Sequence, residues 1–298
     1  MIMELEYIIR GKDLRKNFKG FELEIDDLKI PKGFATALIG ENGAGKTTLL
    51  NMMSGIRLDF KGEFTYFEKE NNIDADQVKE RIGYTGPNNF FLPHWTIQQV
   101  REICKLLFDN FDEKKFDSIC DALCIPVGNA KNVKSLSDGN RMKLMLATVL
   151  ARTTDLLILD EPASPLDPLM RDKLCEIIRQ YISNGEGERS VFFSTHNIAD
   201  MESVTDYAII MEKGKVVEEG FVEDLKEKYI LVKGETEDYV KASKVLIGSS
   251  KSNYGFEGLC LSDKLDQLAG INVAYETPTL SQICVGIMKE YTSLKMDL

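Results

Sequence analysis

GENGAGKTT, residues 40–48, follows a short apolar run, FATALI, and runs into KTTLLNMMSGI, which has helical spacing. It matches the pattern G-x-x-x-x-G-K-[ST], and a strand before it and a helix after it are the context that this phosphate-binding loop requires. Gly40, Gly43 and Gly45 allow the chain to wrap its backbone N–H groups around phosphate oxygens, with Asn42, Ala44 and Thr48 completing the candidate cradle. The helix N-terminus adds a dipole that favours an anion. Lys46 is expected to reach the β- and γ-phosphates, and Thr47 to hold Mg²⁺.

Further along, LLILDE, residues 156–161, is an apolar run of the buried parallel-strand kind that ends on two acids. Asp160 is the candidate Mg²⁺ ligand. Glu161 follows at once and is placed to polarise a water for attack on the γ-phosphate. The competing reading is a pair of exposed acids at a strand end. FFSTH ends another run at His196, one of only two histidines. An imidazole there can donate a hydrogen bond to the γ-phosphate, or it can be structural.

Around these motifs, apolar runs of strand length alternate with helical patterns, at 98–125, 140–151 and RDKLCEIIRQYI, which indicates an α/β fold. IADMESV reads as a helix. YAIIMEKGKVVEEG reads as a hairpin with Lys213-Gly214 at its turn. The pattern restarts after Gly220, so a boundary is expected near 221–228, dividing a domain at 1–220, with a helical part at about 84–150, from a small accessory α/β unit at 221–298. In that unit, PTLSQICVGIMKEY reads as an amphipathic helix with Pro near its start.

Composition narrows the function classes. The 298 residues carry a net charge of −11 and no long Lys/Arg block, so no nucleic-acid partner is expected. No apolar run approaches the ~18–20 residues that span a bilayer, and the N-terminus lacks a signal-peptide layout. The chain is therefore expected in the cytoplasm, or peripheral on a membrane through a partner. Six cysteines are scattered; Cys120 and Cys124, the nearest pair, have no accompanying His or second Cys pair and read better as reduced thiols than as a metal site.

Taken in order over residues 5–220, the motifs resemble the nucleotide-binding subunit of ATP-binding-cassette (ABC) transporters. GENGAGKTT is similar to its Walker A, LLILDEP to its Walker B with the catalytic glutamate, SPLDP to its D-loop, STH to its H-loop, and LSDGN to its signature, usually LSGGQ. DLLILDEPASPLDP and the tail GSSKSNYGFEGL resemble ATPases of bacterial type-2 exporters. The resemblance implies a P-loop NTPase fold with a mixed sheet core, an antiparallel β subdomain and a helical subdomain. It also implies two cassettes, as a homodimer or heterodimer, that meet head to tail around two ATPs and drive a separately encoded permease. The ATPase would sit peripherally on the inner face of the membrane. Each ATP would touch Walker A of one cassette, and Ser137 and Gly139 of the other. Phe18, in LRKNFKG, stands where the family's adenine-stacking aromatic lies, and a buried core Phe is the equal alternative.

Two departures matter. Asp138 replaces a signature Gly; its carboxylate either caps the helix start, a favourable place for an acid, or points inward and repels ATP. In IGYTGPNNFF, residues 82–91, Pro87 stands at the family's Gln position and Asn88 is the nearest substitute, so the Gln role passes to neither. The following segment, with Phe91, His94 and Trp95, is expected to face the membrane partner. Two rivals remain. A soluble ABC ATPase acting on ribosomes or DNA usually carries fused cassettes or basic arms. A P-loop GTPase would need an N-K-x-D segment, and no convincing one is present.

Overall fold

The computed structural model describes residues 5–68, 73, 76–86, 90–126 and 132–291. The chain opens with β1 (Tyr7–Phe18), β2 (Phe21–Pro31), β3 (Ala35–Ile39), α1 (Lys46–Met53), β4 (Lys61–Tyr66), α2 (Asp76–Glu80) and β5 (Ile82–Thr85). Three helices follow: α3 (Ile97–Leu107), α4 (Glu113–Ala122) and α5 (Asp138–Leu150). Then come β6 (Leu156–Asp160), α6 (Pro168–Ser183), β7 (Ser190–Thr195), β8 (Tyr207–Glu212) and β9 (Lys215–Phe221). The remainder holds α7 (Val222–Lys228), β10 (Tyr229–Gly234), α8 (Tyr239–Ala242), β11 (Ile247–Ser252), β12 (Gly255–Leu261), β13 (Val273–Glu276) and α9 (Leu280–Tyr291).

The central sheet has the order β5-β6-β7-β3-β8-β9, parallel except for β9, which pairs antiparallel with β8. Every residue of β3, β6 and β7 is buried, so these mostly apolar strands show no alternation of buried and exposed positions. Their register positions the site. Ile39 pairs with Thr195 and Asp160 pairs with Ser194, so Gly40, Glu161 and His196 leave three neighbouring strands at one edge. The carboxyl ends of parallel strands are where such sheets bind ligands.

A second sheet, β2-β1-β4, is antiparallel and shares an apolar cluster with α1, including Leu23, Ile25, Leu49 and Met53. The 98–125 pattern resolves into two helices. Thr96 caps α3 in a reciprocal box with Gln99; Phe108 turns extended, and Asp112 caps the new start of α4 by accepting from Lys115 N. IADMESV forms two 3₁₀ turns, Ile198–Asp200 and Glu202–Val204, and no α-helix. Its buried residues, Ile198, Met201 and Val204, recur at three, the period of a 3₁₀ helix.

The last sheet, β11-β12-β10-β13, is antiparallel. One face has a small core of its own around Val232, Phe256 and Cys260. The other face, through Leu231 and Leu259, and α9, through Leu280, Ile283 and Cys284, join the main core that also holds Ile198, Met201 and Val204.

Candidate active site

The loop between β3 and α1 is held close to the sheet. Gly40 N donates to Thr195 O at 3.3 Å, and Gly214 N donates to Ala44 O at 2.9 Å. Glycine is required at two of its positions. A Cβ on Gly40 would lie 2.3 Å from the Met211 carbonyl oxygen, and Gly45, at φ +109°, would bring one to 2.9 Å from the Phe21 ring. Gly45 caps α1 without a side chain, so the first-turn N–H groups meet no side-chain acceptor there. Lys46, only 6% exposed, folds back and donates to the carbonyls of Gly40 at 2.7 Å and Glu41 at 3.2 Å. A cleft of about 440 Å³ opens over the loop, lined by Asn42, Gly43, Gly45, Lys46, Thr47 and Thr48, by Phe18 and Phe21, and by Glu161. Phe18 is 39% exposed on this cleft, so it is not a core residue. Its ring neighbours Phe21 and lies within 5.2 Å of the Arg57 guanidinium.

Glu161 joins the pieces. Its Oε1 lies 3.4 Å from Lys46 Nζ, and its Oε2 lies 2.8 Å from His196 Nδ1. The residue takes a left-handed backbone, φ +51°, and its N–H donates to Ser194 Oγ at 2.9 Å. The same hydroxyl donates to Asp160 Oδ1 at 2.5 Å. Asp160 is fully buried, and its Oδ2 has no hydrogen-bond partner. Burial pushes the Asp160 carboxyl above the usual range, while the Ser194 and Thr47 hydroxyls pull it back. The two acids are thus not a pair of exposed charges. A buried carboxylate oxygen with no partner, beside a threonine hydroxyl, is a hard-oxygen donor set that suits Mg²⁺.

The signature residues lie elsewhere. Ser137 caps α5, its Oγ accepting from Asn140 N at 3.3 Å. Asp138 is the first helical residue; its side chain is 83% exposed and pairs with Arg141 at 2.7 Å. The expected Asp138 cap is therefore not made: Ser137 caps the helix, and Asp138 stands in the first turn, where the dipole favours an acid, with its carboxylate on Arg141. A Cβ on Gly139 would stand 2.8 Å from the Pro165 carbonyl oxygen, so the signature turn packs tightly on SPLDP. Neither Ser137 nor Gly139 lines the cleft. Pro87 and Asn88 lie outside the described residues. Phe91 and Trp95 pack half-buried against the main core and, with Phe90, line an apolar groove of about 330 Å³ between α3, α5 and β5, while His94 is exposed.

The residues that steer this site carry no local sequence signal. Ser194 serves both acids only through strand register. Arg171 Nε donates to Ala163 O at 3.2 Å and Leu166 O at 2.9 Å, and its Nη1 pairs with Asp200 Oδ1 at 2.7 Å. Asp200 Oδ2 in turn accepts from Asn197 Nδ2 at 3.0 Å, one residue past His196.

The family described as ABC transporter matches residues 23–164. The putative ABC transporter ATP-binding protein AlbC of Bacillus subtilis is 31% identical over 221 residues, 71% of this chain and 91% of its own. The tungstate uptake system ATP-binding protein TupC of Peptoclostridium acidaminophilum is 30% identical over 217 residues, 72% of this chain and 99% of its own. Among solved structures, cbiO1 of Clostridium perfringens, part of the ABC transporter complex cbiONQ, is 25% identical with a TM-score of 0.59, over 74% of this chain and 90% of that one.

Proposed function

Because the chain belongs to the ABC transporter family as an ATP-binding ATPase subunit, we propose that it drives a separately encoded membrane permease by hydrolysing ATP at a head-to-tail pair of cassettes. One observation carries the reading. Glu161 stands between Lys46 and His196 at the cleft, while Ser137 and Gly139 lie outside it. A second cassette is then needed to bring a signature turn to the phosphates. The partner is another copy of this chain or a related one.

The roles follow from chemistry. Gly40, Asn42, Gly43, Ala44, Gly45 and Thr48 cradle the phosphates, with Phe18 against the base. Lys46 leaves the loop carbonyls to neutralise the β- and γ-phosphates. Glu161 takes a proton from water as the water oxygen bonds to the γ-phosphorus, and the bond to the ADP oxygen breaks, giving ADP and phosphate. His196, hydrogen-bonded to Glu161, orients that carboxylate and donates toward the γ-phosphate. Thr47 and Asp160 would hold Mg²⁺, which would supply charge neutralisation for the phosphates during transfer.

The apolar groove holding Phe90, Phe91 and Trp95 is the permease-facing surface, and the ATPase sits on the cytoplasmic face of the membrane through that contact. No helix among the described residues is long and apolar enough to cross a membrane. The resemblance of DLLILDEPASPLDP to type-2 exporter ATPases favours export. The tungstate uptake relative favours import as the second reading. Co-expression with a candidate permease tests both. A complex purified through this chain should contain a polytopic membrane protein, and its ATPase should respond to the transported compound. Inside-out vesicles that fill on ATP addition indicate export, and right-side-out vesicles that fill indicate uptake. Full ATPase in a strictly monomeric chain that captures no membrane protein would end the reading.

A further inference from the structure

The turn that follows His196 is anchored from the far end of the chain. Glu202 Oε1 accepts from Leu280 N at 2.9 Å, and its Oε2 accepts from Ser281 N at 3.3 Å. Those are the first two N–H groups of α9. The third, on Gln282, donates to Thr279 Oγ1 at 3.2 Å. The first turn of α9 is therefore satisfied by a carboxylate 78 residues away in sequence, at the helix end where a negative charge is most favoured. Either side of Glu202, the fully buried Met201 and the nearly buried Val204 share an apolar cluster with Leu280, Ile283 and Cys284 of α9. The same turn is tied in the other direction, since Arg171 holds Asp200 together with the carbonyls of Ala163 and Leu166.

The anchored segment begins at Ile198, two residues after His196, whose ring nitrogen meets Glu161 at 2.8 Å. Its two 3₁₀ turns are three residues each and are closed only by bonds within 197–205, such as Met201 N to Ile198 O and Val204 N to Met201 O, so their placement against the rest of the fold depends on what holds them from outside. We infer that Glu202 is a positioning residue for His196, through which the C-terminal helix α9 sets the His196–Glu161 contact. The accessory unit is then part of the catalytic assembly. This rests on the reading of His196 and Glu161 given above.

The two histidines make the test specific. In full-length protein, the imidazole signals of His94 and His196 are read by heteronuclear NMR and assigned with a His94→Gln variant. Glu202→Ala should move the His196 signal and leave that of His94 in place. It should also lower kcat roughly tenfold, as small misplacements of reacting groups do, with KM for ATP unchanged. Glu202→Gln keeps one acceptor for α9 and should give an intermediate shift and an intermediate kcat; it serves as the readout should the alanine variant not fold. A His196 signal that stays at its wild-type position in a folded variant overturns the inference. So does a fall in kcat that comes with displacement of both signals, which marks general loosening. If His196→Ala hydrolyses ATP at the wild-type rate, the role given to His196 has failed and the inference falls with it. An inactive His196→Ala beside an unmoved His196 signal in Glu202→Ala defeats Glu202 alone.

Discussion

Replacing Glu161 with Gln keeps the side chain's shape and removes one charge from between Lys46 and His196. The Lys46 ammonium lies 3.4 Å from Glu161 Oε1. At that separation an effective dielectric of about 20 gives an attraction of about 5 kcal/mol. Glu161's side chain is 22% exposed, and water at the cleft cuts the net value to about 1 kcal/mol, the upper end for wet ion pairs. An incoming triphosphate has to draw Lys46 away from this pair. Without it, ATP should bind about fivefold more tightly, the equivalent of 1 kcal/mol. Turnover should fall by roughly 10²–10⁴, because an amide cannot take the proton of the attacking water. Calorimetric titration with ATP gives the first quantity and phosphate release gives the second. Size exclusion with ATP should show dimers accumulating. Weaker ATP binding would contradict the electrostatic argument, and unchanged turnover would remove Glu161 from its role.

Mixing Lys46→Ala chains with Ser137→Ala chains should recover part of the ATPase that neither has alone, since one composite cleft then has both motifs intact; no recovery at any ratio would argue against a head-to-tail pair. Asp138→Gly removes an exposed first-turn acid and its Arg141 partner contact, so it should cost about 0.5 kcal/mol of stability in urea unfolding while ATP affinity stays constant. A marked gain in ATP-driven dimerisation would instead place the carboxylate against the phosphates. Glu219 has a buried Oε2 with no hydrogen-bond partner, and burial raises its pKa. A carboxyl with a raised folded pKa favours the folded state at low pH and loses that advantage as pH rises through the folded value. Glu219→Gln should therefore raise the melting temperature at pH 7–8, with the gain shrinking on acidification and gone below about 4.3, the unperturbed Glu value. A gain independent of pH would point to packing instead.

Much of this site was legible because its chemistry is local. Gly40 to Thr48 are contiguous, and their spacing alone specifies a turn before a helix. LLILD and FFST are short apolar runs whose burial on both faces follows from their lack of alternation. What the sequence did not disclose depends on register or on distance along the chain. Ser194 reaches both acids only because Asp160 pairs with it across β6 and β7. Arg171 and Glu202 sit in ordinary helix and turn patterns, and their partners are 29 and 78 residues away. IADMESV misled for a related reason: its apolar spacing of three satisfies a helical template, and the choice of 3₁₀ turns depends on side chains of other elements. The C-terminal unit offered strands and a helix but no sign of which face joins the main core.

That shared core limits how the molecule can be taken apart. The apolar interior passes without interruption from Ile198 and Met201 through Tyr229 and Leu231 to Ile283 and Ile287. A chain cut after Gly220 would leave these cassette side chains facing water, and would strand two carboxylate oxygens of Glu202 without the helix they serve. Such a fragment would be sticky and poorly folded whatever the missing part does, so its inactivity would be uninformative. By the same logic, a chimera that grafts this tail onto a related cassette transfers only half of a joint. The natural unit of exchange runs from the turn after His196 to the end of α9.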